Sequence, residues 1–79
     1  MAKNIQVSAT IIIIGNEILS GRTKDINTST IAIWLNKLGV RVQEVRVIPD
    51  IDEVIVKTIN EVRKKKYLCI YYWWNWTNS

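Results

Sequence analysis

The polar residues best suited to binding a ligand follow directly after an isoleucine run near the N-terminus. Gly15 opens this segment, and its missing side chain permits a tight turn in which backbone amides approach a phosphate. Asp25 and Asn27 lie toward its end, where they could hydrogen-bond a polar ligand. Gly15 also suits a simple turn and Asn27 a helix cap, so both structural alternatives stay open. The candidate ligand-binding residues are Gly15, Asn16, Glu17, Ser20, Gly21, Asp25 and Asn27.

The residue types that are missing exclude several kinds of catalysis. The 79-residue chain has no histidine and a single cysteine, Cys69. Without histidine, serine–histidine and cysteine–histidine catalysis lack a base, and the usual zinc-finger ligand sets cannot form. A single cysteine also excludes an internal disulfide. Any chemistry must therefore rest on carboxylates, backbone amides, lysine and arginine.

The hydropathy pattern predicts an α/β fold in which strands and helices alternate. Residues 10–14 form a continuous β-branched run, which is typical of a parallel strand buried on both faces. After a loop over residues 15–24, the pattern predicts a helix at 28–38, a strand at 40–48 and a second helix at 52–65. Residues 68–73 are apolar and β-prone enough for a third parallel strand.

Apolar spacing predicts which faces of these elements are buried. Each helix carries apolar residues at intervals of three and four, which form one stripe along its length. The strand at 40–48 alternates apolar and polar residues, which indicates an edge strand with one face less buried. The helical stripes are Ile31, Trp34, Leu35 and Leu38 in the first helix, and Ile51, Ile55, Ile59 and Val62 in the second.

The net charge of +4 comes largely from a basic run at residues 63–66. At the end of a helix, such a run complements the helix dipole, and this interpretation is the favoured one. Combined with the aromatic residues near the C-terminus, the run also suits a small nucleic-acid-binding module, which is the alternative function. No segment approaches the roughly 20 apolar residues that span a bilayer, and no signal peptide is evident. The expectation is therefore a cytoplasmic protein with no membrane partner.

Three ordered motifs resemble the molybdopterin-binding domain family (MoaB/Mog-like). Residues 12–21, IIIGNEILSG, are similar to the family's GDEIL-x-G strand and loop. Residues 25–29, DINTS, resemble its D-T-N-S helix start, and residues 47–50, VIPD, resemble its turn before the second helix. The resemblance runs from residue 9 to residue 66 and is strongest to the N-terminal domains of competence/damage-inducible protein A.

This resemblance implies a fragment, in β-α-β-α(-β) order, of a three-layer α/β/α domain with a mainly parallel sheet. Intact relatives bind molybdopterin or related nucleotides, with magnesium as a further cofactor. Some relatives are linked to molybdenum cofactor synthesis or nucleotide pyrophosphatase chemistry. The resemblance implies that Asp50 corresponds to an acidic residue of the family's molybdopterin chemistry, where a carboxylate would hold a metal ion or stabilise developing charge. Asp50 is thus the candidate catalytic residue, with a cap on the second helix as its structural alternative.

The C-terminal segment, residues 67–79, departs from the family's pattern, whereas residues 1–66 correspond to the first half of the domain. The family continues with a third strand and a loop close to TTGGIGPT. Read one base later, codons for residues 71–78 can encode Thr-Thr-Gly-Gly-Ile-Gly-Pro-Thr. The same shift lets the codons of Cys69 and Ile70 encode Val-Phe. The sequence therefore predicts a frameshift near the lysine run and an aberrant aromatic tail after it.

Loss of the glycine-rich loop predicts that this chain by itself is not an enzyme and binds no cofactor. Catalysis by positioning and electrostatics requires the complete constellation of groups, and here half of it is replaced. Unpaired backbone N–H and C=O groups at the edge of the sheet, together with exposed tryptophans, also predict self-association.

Overall fold

The computed structural model describes residues 7–25, 27–65 and 67–75. In these ranges strands and helices alternate as predicted, apart from one additional short helix after the first strand. None of the described helices combines the length and apolar character needed to cross a membrane. The strands are β1 (Val7–Ile14), β2 (Val40–Ile48) and β3 (Leu68–Trp73), and the helices are α1 (Asn16–Leu19), α2 (Asn27–Lys37) and α3 (Asp52–Arg63).

The three strands form one parallel sheet in the order β2-β1-β3. β1 is therefore the central strand, and its residues 9–14 are all buried. An unbroken apolar run suits this position, because helices cover both faces of a central parallel strand. β2 lies at an edge of the sheet, which confirms the prediction from its alternating pattern.

The two long helices cover opposite faces of the sheet. Ile11 of β1 packs in a cluster with Leu35 of α2, whereas the next residue, Ile12, packs in a second cluster with Val62 of α3. β2 and β3 lie on opposite sides of β1, so right-handed crossovers place the two connecting helices on opposite faces. The predicted three-layer α/β/α arrangement is confirmed.

An irregularity in β2 accounts for its uneven apolar spacing. Ala9 pairs with Val42, but the next residue, Thr10, pairs with Glu44, so Gln43 is an extra residue in β2. A β-bulge of this kind shifts the alternation and lets residues three apart face the same side of the sheet. Valines on both sides of the bulge therefore pack against the cluster under α2.

Some details of the predicted elements are wrong. The loop predicted over residues 15–24 contains the short helix α1. Trp34 and Leu38, predicted on the buried stripe of α2, are 58% and 61% exposed. The stripe consists of two rows of residues four apart, and only the row of Ile31 and Leu35 contacts the core. Ile51 is also exposed, because it precedes the first turn of α3 instead of lying on its inner face.

Candidate functional site

The candidate ligand crevice lies beyond the carboxyl ends of β1 and β3. The chain leaves β1 toward β2 on one side and reaches β3 on the other, so the strand order reverses at β1. Ligands of open parallel sheets bind outside the carboxyl ends of the strands at such a reversal. We call this region the switch-point crevice. It comprises Gly15 and Asn16 after β1, Asp50 after β2, and Trp73 and Trp74 at the end of β3.

Gly15 is buried, and other parts of the chain occupy both its amide and its open side. Its N–H donates to the carbonyl oxygen of Ile48 over 2.9 Å, which joins the ends of β1 and β2. The N–H of Trp74 donates to the carbonyl oxygen of Ile14 over 2.8 Å. A Cβ placed on Gly15 would lie 2.3 Å from Cδ1 of Trp74, so the indole rests directly on the glycine backbone. The Gly15 amide expected to meet a phosphate is thus already satisfied within the protein.

Asp50 and Asn16 come together at the carboxyl edge of the sheet. The backbone N–H of Asp50 donates to Oδ1 of Asn16 over 3.3 Å. The indole Nε1–H of Trp73 donates to Oδ1 of Asp50, also over 3.3 Å. Ile51 is the residue at the cap of α3, and no side chain caps that helix by a hydrogen bond. The capping role considered for Asp50 is therefore not observed, and its carboxylate lies at the crevice beside Trp73.

Glu17, Ser20 and Gly21 shape a loop of their own. The hydroxyl of Ser20 donates to the carbonyl oxygen of Glu17 over 3.1 Å and accepts a hydrogen bond from Nε of Arg22 over 3.2 Å. Arg22 and Glu17 also form an exposed ion pair at 3.9 Å, which contributes little stability. Gly21 has a φ of 81°, a conformation that other residues rarely adopt. These side-chain contacts are local to the loop, whose backbone joins Asn16 through the hydrogen bond from the Ser20 N–H to the Asn16 carbonyl oxygen over 2.9 Å.

Asp25 caps α2 and ties this helix to β3. Its Oδ1 accepts the N–H of Asn27 over 3.2 Å, and its Oδ2 accepts the N–H of Thr28 over 3.1 Å. The hydroxyl of Thr28 also donates to this carboxylate. The hydroxyl of Tyr72 lies 3.1 Å from both carboxylate oxygens. Asp25 therefore caps α2, and Asn27 is the first residue of this helix.

Tyr72 is a residue that sequence reasoning missed, because the aromatic tail was interpreted as the product of a frameshift. Its side chain is only 7% exposed, and its hydroxyl lies 2.8 Å from that of Thr28. Burial, with the Asp25 carboxylate adding to the effect, raises the pKa of Tyr72 to about 12. The alternation of Ile70, Tyr72 and Trp74, which all pack on the α2 side of the sheet, is the sequence signal that could have identified it.

Replacing Tyr72 by phenylalanine should lower stability near neutral pH and flatten its dependence on alkaline pH. The lost hydroxyl leaves Asp25 with fewer partners, at a cost of about 1–3 kcal/mol. A raised tyrosine pKa stabilises the fold below the ordinary pKa of 10.0, and this contribution disappears as pH rises toward 12. Urea unfolding between pH 8 and pH 12 should show a steeper loss in the wild-type chain than in Tyr72→Phe. The exposed Tyr71→Phe is the matched control, and equal slopes for wild type and Tyr72→Phe would contradict the assignment.

The basic run lies before β3, whereas the aromatic residues of the C-terminal segment extend from Tyr67, next to the run, through β3 to Trp74. Arg63 and the two lysines after it precede the strand, whereas Trp74 follows it. The six-residue strand separates them by about 20 Å at about 3.3 Å per residue. Lys65 is also paired with Glu44 at 3.2 Å. Trp74 is therefore distant from the described basic residues, and no contact among the described residues favours the nucleic-acid alternative. Lys66 and Trp76 lie outside the described ranges.

The described residues do not assemble a magnesium site. Nowhere among them do three cysteine, aspartate or glutamate side chains lie close enough to hold a metal ion. Magnesium prefers a nearly octahedral set of oxygen ligands. Asp50 offers one carboxylate, and one of its oxygens accepts the hydrogen bond from Trp73. Toward the magnesium that the family resemblance implies for intact relatives, this site therefore contributes the single carboxylate of Asp50, and Mg²⁺ usually completes its shell with water and substrate phosphates.

The elements that surround the crevice match a known family. Residues 10–71 match the family model described as "Probable molybdopterin binding domain". The chain belongs to this family. The match begins in β1 and ends in β3, and it includes both helices that cover the sheet in this molybdopterin-binding-like domain.

Similar proteins place the chain near the CinA group of this family. A CinA-like protein of Flavobacterium psychrophilum is 39% identical over 59 residues, covering 75% of this chain and 14% of the relative. A CinA-like protein of Amoebophilus asiaticus is 36% identical over 55 residues, covering 70% of this chain and 13% of the relative. A protein of Pyrobaculum calidifontis is 40% identical over 58 residues, covering 73% of this chain and 22% of the relative. The chain thus spans at most 22% of each of these proteins.

A solved structure shares the fold. The crystal structure of the protein CinA from Thermoplasma acidophilum superposes with a TM-score of 0.75 at 30% sequence identity. The superposition covers 81% of this chain and 39% of that chain. The resemblance to the molybdopterin-binding domain family, and in particular to the CinA type, is confirmed.

Proposed function

We propose that this chain carries the β1 half of a molybdopterin-binding crevice and that, in its present form, it does not bind molybdopterin. The observation that carries the proposal is the position of Trp74, whose side chain lies within 2.3–2.8 Å of the place where a Cβ on Gly15 would be. A ligand cannot approach this backbone while the indole covers it. In this proposal the family's ligand would enter the switch-point crevice, which Trp74 of the chain itself covers.

The groups that remain at the crevice support the proposal. A phosphate-bearing ligand such as molybdopterin needs backbone amides or cations directed toward it. The Gly15 amide donates to Ile48, and the Trp74 amide donates to Ile14. The Asp50 carboxylate is an anion and would repel a phosphate. We therefore expect the complete site to gain further donors from a loop after β3 that differs from the one in this chain.

The predicted frameshift supplies a reason for this difference. The family-model match stops at Tyr71, and the shifted codons for residues 71–78 can encode the glycine-rich Thr-Thr-Gly-Gly-Ile-Gly-Pro-Thr loop. In that frame, glycines replace both Trp73 and Trp74. The indole over Gly15 and the indole beside Asp50 would then disappear together. The nucleotide sequence downstream of the lysine codons tests this point, since a one-base shift must restore a glycine-rich reading frame.

The binding proposal is tested by equilibrium dialysis of molybdopterin against three proteins. The wild-type chain should bind none, and the chain with its frame restored after the lysine run should bind saturably. Trp74→Ala opens the crevice without adding the glycine-rich loop, so it should not bind either. Saturable binding by the wild-type chain would overturn the proposal. A folded frame-restored protein that does not bind would equally contradict it.

A further inference from the structure

The two edges of the sheet differ in their protection against pairing with another strand. The β2 edge carries Arg41, Glu44 and Arg46, and charged side chains hinder edge-to-edge association. The β3 edge, Leu68–Trp73, contains no charged residue, no proline and no glycine. Ile70 and the three aromatic residues of this strand favour extended pairing. Of the two edges, β3 is therefore the one open to a further strand.

The free backbone groups of β3 belong to alternate residues. Trp74 donates its N–H to Ile14 of β1, so Ile70 and Tyr72, at intervals of two, also direct their backbone groups toward β1. The N–H and C=O groups of Tyr71 and Trp73 therefore point away from the sheet. Both side chains are exposed, 50% and 43% respectively, and they form an edge-to-face pair.

The charges of α3 indicate which strand would pair with this edge. α3 begins with Asp52 and Glu53 and ends with Arg63, followed by Lys64. Its apolar cluster includes Cys69 of β3, so α3 lies on the same side of the sheet as the Tyr71–Trp73 pair. An antiparallel second copy of β3 would bring the basic end of one α3 toward the acidic end of the other. It would also place the aromatic pairs of the two copies side by side.

From this arrangement we infer that two copies of this chain associate through antiparallel pairing of β3 about a two-fold axis. Such an interface is isologous, because each copy contributes the same strand and the same charged helix ends. The pairing satisfies the outward backbone groups of Tyr71 and Trp73 and joins the two sheets into one. This inference does not depend on the proposed loss of molybdopterin binding.

Sedimentation velocity of the full chain over a range of concentrations tests the stoichiometry. A monomer–dimer equilibrium is expected, and added salt should weaken it because opposite charges meet across the interface. Tyr71→Pro removes an outward N–H without removing a bond to β1, so it should raise the dimer dissociation constant roughly tenfold or more. Tyr71→Phe keeps the N–H and the aromatic ring, and it should dimerise like the wild type. Tyr71→Lys, which adds a charge to the edge, should also weaken the dimer.

Amide hydrogen exchange of the wild-type chain provides a test that needs no variant. Protection of the Tyr71 and Trp73 amides should rise with protein concentration, whereas that of Tyr72 should not change. A monomer at all concentrations, an open-ended series of oligomers, or a Tyr71→Pro protein that dimerises like the wild type would each overturn the inference. Concentration-independent exchange at Tyr71 and Trp73 would do the same.

Discussion

Gly15→Ala is expected to lower the free energy of unfolding by about 1–3 kcal/mol, the usual cost of forcing a methyl group into a packed site. The added Cβ would meet Cδ1 of Trp74 at 2.3 Å, closer than two carbon atoms can approach. The backbone itself imposes no such cost, since Gly15 has a φ of 166°, which is extended and open to any residue. Urea unfolding followed by circular dichroism measures the loss, which is large for a domain of this size.

A double-mutant comparison tests whether the indole of Trp74 causes the loss of stability in Gly15→Ala. In a Trp74→Ala background, Gly15→Ala should lower the free energy of unfolding by less than about 0.5 kcal/mol, because the clash with the indole is gone. The effects of the two substitutions are then not additive. Gly21→Ala is the matched control. Gly21 has a φ of 81° and no atom within 4 Å of an added Cβ, so its cost should be the same in both backgrounds. If Gly15→Ala is equally costly with and without the indole, Trp74 does not cover Gly15.

In a frame-restored protein that carries the chemistry implied by the family resemblance, Asp50→Asn is expected to lower turnover on the order of 100-fold while changing ligand affinity much less. Losing a group that acts on developing charge affects the transition state more than the ground state. The alternative role of Asp50 as a cap of α3 is not observed, because the cap residue is Ile51 and no side chain caps the helix by a hydrogen bond. Steady-state kinetics and equilibrium dialysis on the same protein separate the two effects.

Asp52→Asn is the control for the Asp50 experiment. Asp52 is exposed in the first turn of α3, two residues after Asp50, but it is not part of the switch-point crevice. This variant should retain turnover and lose only a small electrostatic contribution to helix stability. Unchanged turnover in Asp50→Asn would show that the carboxylate has no catalytic role, whatever its effect on stability.

Much of the architecture could be predicted from local patterns in the sequence. An isoleucine run without polar interruption is stable only where both faces of a strand are covered, so it identified β1 as a buried parallel strand. The alternation in β2 likewise identified an edge strand. The helix stripes were less informative, because periodicity does not say which of two adjacent rows contacts the sheet. Trp34 and Leu38 satisfy the helical spacing of α2 and are nevertheless exposed.

The candidate site was predictable only in outline. Motifs at residues 12–21 and 47–50 placed Asn16 and Asp50 after neighbouring strands, and the structure brings them within hydrogen-bonding distance. The partners that decide their chemistry come from a segment that sequence reasoning interpreted as an aberrant tail and did not include in the site. Trp73 bonds Asp50, Trp74 covers Gly15, and Tyr72 holds Asp25. These contacts join residues more than 20 positions apart, and no local pattern specifies them.

The sequence by itself determined the family, the order of strands and helices, and the burial of β1 on both faces, because these follow from short motifs and from hydrophobic spacing within single elements. Only the tertiary structure decided whether the crevice is open. That outcome depends on how the end of β3 meets the end of β1, where a hydrogen bond from Trp74 to Ile14 places an indole on Gly15. Strand pairing and side-chain volume, which act between distant parts of the chain, set this contact.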